Sequence, residues 1–339
     1  MQKYKFHCEI LSPIHIGAGS EIDPLDYMIE NKKLFKISFE KLVINMNDIK
    51  RNEFEKIIDK NNLIEIRKFI LKIINKEKDS IYSIDVSSEI ETLYKSKIDN
   101  IQNQLLIYPF IRTEGETTPF IPGSSIKGAI RTAIISEFAK KSNLPKPKDI
   151  REEYEFESQV INYKDAKNDP FRGIKIRDSY PQKDFTIVRD IKNFSRKRGV
   201  NNIQIICEVS HSFITGKDIE FETEIYFDES LFLTNYLGKK LNIENIIISC
   251  KNFYKDKIES EHKKFYQNND IEKKSTQLLN IPLDDKSFLL RLGRFSGVES
   301  VTLDKYRNPR PPGNKTIWGT SRNLIEGIYP MGWMKVTIK

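Results

Sequence analysis

The run Pro119-Phe120-Ile121-Pro122-Gly123-Ser124-Ser125-Ile126-Lys127-Gly128-Ala129-Ile130-Arg131 passes from a proline and glycine turn straight into apolar residues four apart. Ile126, Ile130, Ile134 and Phe138 share one face of a helix at that spacing, with Ser124 or Ser125 placed to cap its first turn. Upstream, Tyr4, Phe6, Cys8 and Ile10 alternate with polar residues, which predicts a half-buried strand running into the glycine-bearing turn Ser12 to Gly19. Between that strand and the helix, apolar residues recur three and four apart from Phe54 to Ile74, with Asn61-Asn62 as an interruption, and again from Ile90 to Leu105. This predicts a helical block over about residues 40–105.

Downstream, residues 142–172 are polar and Pro-bearing and read as a long loop. Short strands are expected at 174–176 and 185–188, and a hairpin of 203–209 with 219–227 turning near Gly216. A helix from Ile243 to Ile258, a strand from Phe288 to Leu292 and a closing strand from Trp333 to Ile338 follow. Strands mixed with helices in this order predict an α+β fold of two βαβ-containing units meeting near residue 190. The first unit, 1–190, carries the helical block as an insertion, and the second spans 191–339.

A chain of 339 residues, 38% of them hydrophobic, can supply cores for two domains. Lys and Arg number 56 against 48 Asp and Glu, a formal charge of +8, which favours a polyanionic partner; several of these lysines, Lys68, Lys72, Lys76 and Lys78, also fit solvated helix faces. Cys8, Cys207 and Cys250 stand far apart without CxxC spacing, so neither a disulfide framework nor a zinc site is indicated and a reducing cytoplasm fits. The N-terminus lacks the apolar core of a signal peptide, and no run is long enough to cross a bilayer, so no membrane association is expected. His7, His15, His211 and His262 show no HxxxH or HExxH spacing, and no metal or other cofactor is expected.

A glycine turn at a helix N-terminus leaves backbone amides unpaired, and the macrodipole adds positive potential, so the Gly123 turn suits a phosphate. Lys127 and Arg131, four apart on one face beside Gly128, reinforce that reading; an ordinary capped helix explains the same residues. The spacing is not that of a Walker A loop, and Gly17 and Gly19 lack the third glycine of a dinucleotide fingerprint. Near the C-terminus, Arg291 to Arg294, then Ser296, Gly297, Lys305, Arg307 and Arg310, pair glycine turns and cations with the aromatics Phe295 and Tyr306. Those are the ingredients of single-stranded RNA binding, and equally of a mobile basic loop. His15 reads either as a general acid or base or as a turn histidine bonded to backbone or stacked on RNA. Asp26 reads as a carboxylate acting on a ribose hydroxyl or as a turn former, and Cys8 as core.

Leu11-Ser12-Pro13-Ile14-His15-Ile16-Gly17-Ala18-Gly19 resembles the N-terminal signature of the RAMP superfamily of CRISPR proteins, and Ile121 to Arg131 looks like its central motif. Within that superfamily, Pro24-Leu25-Asp26-Tyr27, Leu290-Arg291-Leu292-Gly293 with Gly297, and Pro330-Met331-Gly332-Trp333 resemble the family of the fifth Csm subunit of type III-A effector complexes. The resemblance implies two tandem ferredoxin-like (RRM-like) RAMP domains and a non-catalytic subunit at the end of the ribonucleoprotein. The expected partners are guide RNA near its 3′ end, target single-stranded RNA, Csm backbone subunits and other Csm proteins. The rival readings are a metal-independent RAMP endoribonuclease that processes precursor guide RNA, with His15 and Asp26 as its candidate groups, and an adaptor that recruits cellular nucleases. It implies RNA contact by the glycine loops and adjoining helix: His15, Gly17 and Gly19; Gly123, Ser124, Ser125, Lys127, Gly128 and Arg131; and Arg291, Gly293, Arg294, Ser296 and Gly297. One departure stands out, because many members place an apolar residue between two close glycines where this chain has Arg294-Phe295-Ser296 between Gly293 and Gly297. That ranks the Gly123 loop ahead of the Gly293 loop.

Overall fold

The strand β1 (Gln2–Ile10) lies at the centre of a five-stranded sheet: Phe6, Cys8 and Ile10 all point into the core and both of its edges find partners. The computed structural model describes residues 2–100, 105–113, 117–148, 150–182, 184–210, 219–228, 242–303, 306 and 319–339. After β1 come the hairpin β2 (Tyr27–Glu30) and β3 (Lys33–Ile37), then helices α1 (Phe39–Asn45), α2 (Asp48–Asp59), α3 (Leu63–Ile73) and α4 (Lys76–Asp79). Next are β4 (Ser80–Val86), α5 (Ser88–Lys97), β5 (Ile107–Tyr108), α6 (Gly123–Lys141), α7 (Ile150–Val160) and β6 (Ile174–Ile176). The strands β7 (Thr186–Ser195), β8 (Gly199–Ser210) and β9 (Ile219–Phe227) precede α8 (Ile243–Glu261) and α9 (Glu272–Leu279). The described elements end with β10 (Ser287–Arg291), α10 (Val298–Val301), β11 (Arg322–Ile325), β12 (Tyr329–Pro330) and β13 (Trp333–Ile338).

The first sheet has the order β10-β13-β1-β9-β6, with every neighbouring pair antiparallel. Ile126, Ile130 and Ile134 of α6 and Phe253 and Tyr254 of α8 share one core with Phe6, Phe288, Trp333 and Val336 of the sheet. Each such side chain taken out of water contributes about 1.5–3 kcal/mol. The two helices are tied directly, the Tyr254 hydroxyl donating to the Ala129 carbonyl at 3.0 Å.

The second sheet runs β12-β11-β7-β4-β3-β2, with β8 added to β7 and β5 added to β8. Its spine is β7, antiparallel to β8 over most of its length, antiparallel to β11 towards its end, and parallel to β4 near its start. Tyr27, Leu34, Ile84, Val86 and Val188 pack under Ile90 and Tyr94 of α5, while Leu42, Met46, Phe54 and Phe69 give α1 to α3 a small core of their own.

The α+β class is as expected, and four details differ. The boundary near residue 190 falls inside β7, and each sheet takes strands from both sides of it, so the sequence halves are not two separately built sheets. The helical block contains a strand: Ile81 and Ile84 of β4 are three apart, which suits a helix as well as a strand, and pairing with β3 and β7 decides the matter. Within the expected loop at 142–172, α7 forms because Phe156 and Val160, four apart, both reach the main core. The hairpin expected between 203–209 and 219–227 does not exist. Instead β8 folds back on β7, while β9, with Phe221 and Ile225 inward, joins β1 in the other sheet; Gly216 and His211 lie outside the described residues.

Candidate nucleic-acid interface

Beyond β1 the chain becomes a strap between the two sheets. The amides of Leu11 and Ser12 donate to the Trp333 carbonyl at 3.0 and 3.2 Å, and the Ser12 hydroxyl accepts from the Trp333 amide at 2.9 Å. Pro13, with no amide to satisfy, uses its carbonyl to accept from Gly332 at 2.8 Å. Ile14 then turns to the second sheet, donating to the Ser210 hydroxyl at 2.8 Å and accepting from the Ser210 amide at 2.9 Å.

His15 is fully buried in this seam, with Nδ1 2.8 Å from the Glu208 carbonyl and the ring 5.8 Å from that of Phe295. Burial holds its pKa below the ordinary value of 6.5, although the bond to Glu208 works the other way. In the neutral ring Nδ1–H donates to that carbonyl and Nε2 is left as an acceptor without a partner, facing Gly17, where an added Cβ would stand 3.3 Å away. The Glu208 carboxylate accepts from the Phe110 amide at 2.8 Å and from both terminal nitrogens of Arg112 at 2.7 and 2.5 Å, so the wall behind His15 is itself tied down.

Gly17 to Ser20 emerge from the seam exposed, anchored by the bridge between Gly17 and Phe110. The Gly293 turn hooks onto the same strap: the Arg294 amide donates to the His15 carbonyl at 2.9 Å. Gly293 is required there twice over, by φ +83° and because a Cβ would collide with that carbonyl. The buried Ser296 closes the turn, donating to the Gly293 carbonyl at 2.8 Å. What the turn projects is Arg294, exposed, its guanidinium 4.8 Å from the Tyr108 ring and 5.0 Å from the Phe295 ring. An exposed glycine loop, a cation and aromatic faces therefore meet along one rim, the combination that holds phosphates and stacks bases.

The Gly123 turn is built differently. α6 starts at Gly123 with Pro122 in the cap position and no side-chain cap, so neither Ser124 nor Ser125 caps it. The Gly123 amide donates instead to the Asp178 carboxylate at 2.7 Å, and a Cβ at Gly123 would collide with the carbonyls of Ile176 and Arg177. An acid of the chain thus occupies the amide expected to meet a phosphate, and it answers the helix dipole. Ser124 and Gly128 are exposed and Lys127 is half-exposed; Lys127 makes no ion pair among the described residues, and partial burial lowers its pKa. Arg131 is committed internally, bonded to Asp169 at 2.8 Å and to the Tyr163 hydroxyl at 3.2 Å, 3.4 Å from Glu157, and 4.7 Å over the Phe171 ring.

Arg291 is buried rather than presented. It holds Glu261 through two bonds of 2.5 and 3.0 Å, donates to the Met331 carbonyl at 2.9 Å and to the Ser300 hydroxyl at 3.1 Å, and lies over Trp333. Arg322 completes the network by pairing with Glu261 at 2.5 Å and Glu299 at 2.9 Å. The sequence reads Arg291 as a surface cation because its neighbours are a glycine turn and Arg294; only the position of Glu261 on α8 shows otherwise. Gly297, at φ +84°, stands before α10 and faces the Arg322 guanidinium. Tyr306 is a core residue, donating to the Ala139 carbonyl at 2.8 Å and stacked 4.5 Å from Phe156. Lys305, Arg307 and Arg310 lie outside the described residues. Asp26 belongs to a turn closed by its amide on the Asp23 carbonyl, and its carboxylate stands 3.3 Å from Lys36. One feature escaped the sequence reading: Arg196-Lys197-Arg198 forms the exposed tip between β7 and β8, signalled only by three consecutive cations before Gly199. Among the described residues no cluster of His, Cys, Asp or Glu could hold a metal, and no helix is long and apolar enough to cross a membrane.

A family model described as the RAMP superfamily matches residues 7–298. A Methanocaldococcus jannaschii protein described as CRISPR system Cms protein Csm5 is 30% identical over 384 residues, covering 98% of this chain and 88% of that protein. A Streptococcus thermophilus protein of the same description is 25% identical over 309 residues, covering 89% and 80%. Among solved structures, a chain of a Csm-crRNA-target RNA ternary complex in a type III-A CRISPR-Cas system superposes with a TM-score of 0.72 at 19% identity, over 99% of this chain and 100% of that one. The crystal structure of T. onnurineus Csm5 gives a TM-score of 0.67 at 20% identity, over 97% and 99%. At these identities the two structures establish the fold.

Proposed function

This chain belongs to the RAMP superfamily and within it to the Csm5 family, and from that premise we propose that it is a non-catalytic RNA-binding subunit of a type III-A Csm effector complex, seated on the backbone at the 3′ end of the guide RNA. The observation that carries the RNA-binding part is the rim where the exposed Gly17 to Ser20 loop meets Arg294 and Tyr108. Sequence is then read by pairing between guide and target, while the protein holds backbone phosphates. The composition of the structural neighbour, which contains crRNA, target RNA and Csm protein, supports the same partners here. The ferredoxin-like reading of the first sheet is supported by the antiparallel order β13-β1-β9-β6 with α6 and α8 as its connecting helices.

A non-catalytic role is supported by the state of the two candidate groups. His15 is buried with Nδ1 committed to the Glu208 carbonyl, and the Asp26 carboxylate, although partly exposed, is paired with Lys36, whereas proton transfer needs a base and an acid within hydrogen-bond reach of the reacting atoms. Two measurements test the proposal. The intact chain should bind single-stranded RNA with a salt-dependent affinity that weakens in the double variant Lys127→Ala/Arg294→Ala, and complexes purified without the chain should carry guides with altered 3′ ends. Salt-independent binding by the wild type would remove the RNA-binding part. Identical guide ends with and without the chain would replace end-capping with an adaptor role, for instance towards cellular nucleases.

A further inference from the structure

We infer that the β7–β8 tip and the groove beneath it form a second phosphate-binding site, one that takes a short stretch of RNA backbone away from the Gly17–Arg294 rim; the inference rests on the RNA-binding reading above. The tip is dictated locally. The Arg198 amide donates to the Ser195 carbonyl and hydroxyl, both at 3.2 Å, and Gly199 takes φ +67° to return the chain into β8, which leaves Arg196, Lys197 and Arg198 pointing out. All three are exposed and none makes an ion pair among the described residues. Three adjacent cations without a counter-charge repel one another, a standing cost that an anionic ligand relieves.

The surroundings reinforce the same sign. A cavity of about 560 Å³ lies between the tip and the segment starting at Gly319, within the range that admits a small ligand group. Arg196, Lys197, Arg198 and Lys264 line it together with neutral hydrogen-bonding groups such as Asn201 and Ser321, and no carboxylate lines it among the described residues. Lys264 is anchored at its wall, Nζ donating to the Gly319 carbonyl at 2.9 Å and standing 3.5 Å from Glu299. Glu299 is shared with Arg322, which in turn shares Glu261 with Arg291, so three cations face two carboxylates and the network beneath the groove keeps a net positive charge. Ordered donors at the wall and unpaired cations at the tip fit the non-esterified oxygens of successive phosphates, with no dependence on base identity.

The test measures anisotropy of a labelled single-stranded RNA with the full chain over a series of salt concentrations. The triple variant Arg196→Ala/Lys197→Ala/Arg198→Ala should bind on the order of tenfold more weakly and lose about 0.7 of log-log salt slope for each phosphate contact removed, with its unfolding midpoint unchanged. Arg196→Lys/Arg198→Lys, which keeps the charge, should retain most of the slope. A parallel arm with a guide-target duplex of equal length identifies the strand: loss confined to the single strand assigns unpaired RNA, and loss on both assigns backbone in either form. A triple variant with wild-type slope overturns the second site alone, provided the wild type itself binds with salt dependence; a wild type without that dependence overturns both this site and the RNA-binding reading. Equal loss in the Lys variant also overturns it, because the shape of the turn rather than its charge would then be responsible.

Discussion

At Gly123 and at Gly293 another segment of backbone comes so close that no side chain fits: the carbonyls of Ile176 and Arg177 in the first case, the carbonyl of His15 in the second. Both turns therefore need glycine for packing, whatever they bind. They differ in what is left over once the packing is made. At Gly123 the free amide is answered by Asp178, and the nearby Arg131 is bonded to Asp169 and Tyr163. At Gly293 the contact is made by the next amide, on the strap at His15, and the turn is left presenting the Arg294 guanidinium to solvent. A glycine turn beside cations thus reports a close approach of backbone, and the fate of the cation is a separate question. Arg291 and Arg294, three residues apart, give opposite answers to it.

The largest test of that contrast is Arg291→Ala. Removing one partner of a buried charge network costs about 3–5 kcal/mol, and the surviving Glu261–Arg322 pair should keep the loss near the lower end. Urea unfolding measures it, and the salt slope of RNA binding by the folded variant should not move; a reduced slope would put Arg291 on the rim after all.

Two substitutions on one helix sharpen the glycine argument. Gly123→Ala should lose about 1–3 kcal/mol through overpacking against the carbonyls of Ile176 and Arg177. Gly128→Ala, exposed with nothing near its added Cβ, should gain up to about 1 kcal/mol of helix propensity. If Gly128→Ala also weakens RNA binding, RNA backbone comes close to α6 there and the Gly123 turn regains its place at the interface.

His15 gives the seam a pH signature. Its folded pKa is depressed by burial, so below about pH 6.5 the unfolded chain takes up a proton that the folded chain refuses, and stability falls as pH falls. The contribution is fully present above that pH and disappears with a limiting slope of about 1.4 kcal/mol per pH unit, which denaturation at a series of pH values should detect and His15→Gln should flatten. A slope unaltered by the substitution would mean that the seam tolerates a charged imidazole.

The smallest structural effect belongs to Arg294→Ala, which removes an exposed cation stacked on Tyr108 and Phe295 and should change stability by no more than about 1 kcal/mol. Its RNA salt slope should nevertheless fall by about 0.7. Arg291→Ala and Arg294→Ala are therefore expected to separate stability from binding in opposite directions.

Local pattern by itself determined much of this molecule. The alternation of Tyr4 to Ile10, the four-residue spacing of Ile126 to Phe138 and the strands at 174–176, 219–227 and 333–338 all appear where the sequence places them, because a strand or helix with one buried face must repeat apolar residues at its own period. The motif Leu11 to Gly19 was legible as a family signature, though not as a strap. Tertiary structure alone decided which sheet each strand joined, since β8 and β9 both read as strands in the sequence and choose different partners. It also decided which cations stayed free. Glu261, Asp169 and Asp178 lie 30, 38 and 55 residues from Arg291, Arg131 and Gly123, and they silence groups whose own neighbourhoods read as a binding surface. Charge pairing acts over a few ångströms of space and takes no account of separation along the chain, so the surface that meets a ligand emerges only when the chain is folded.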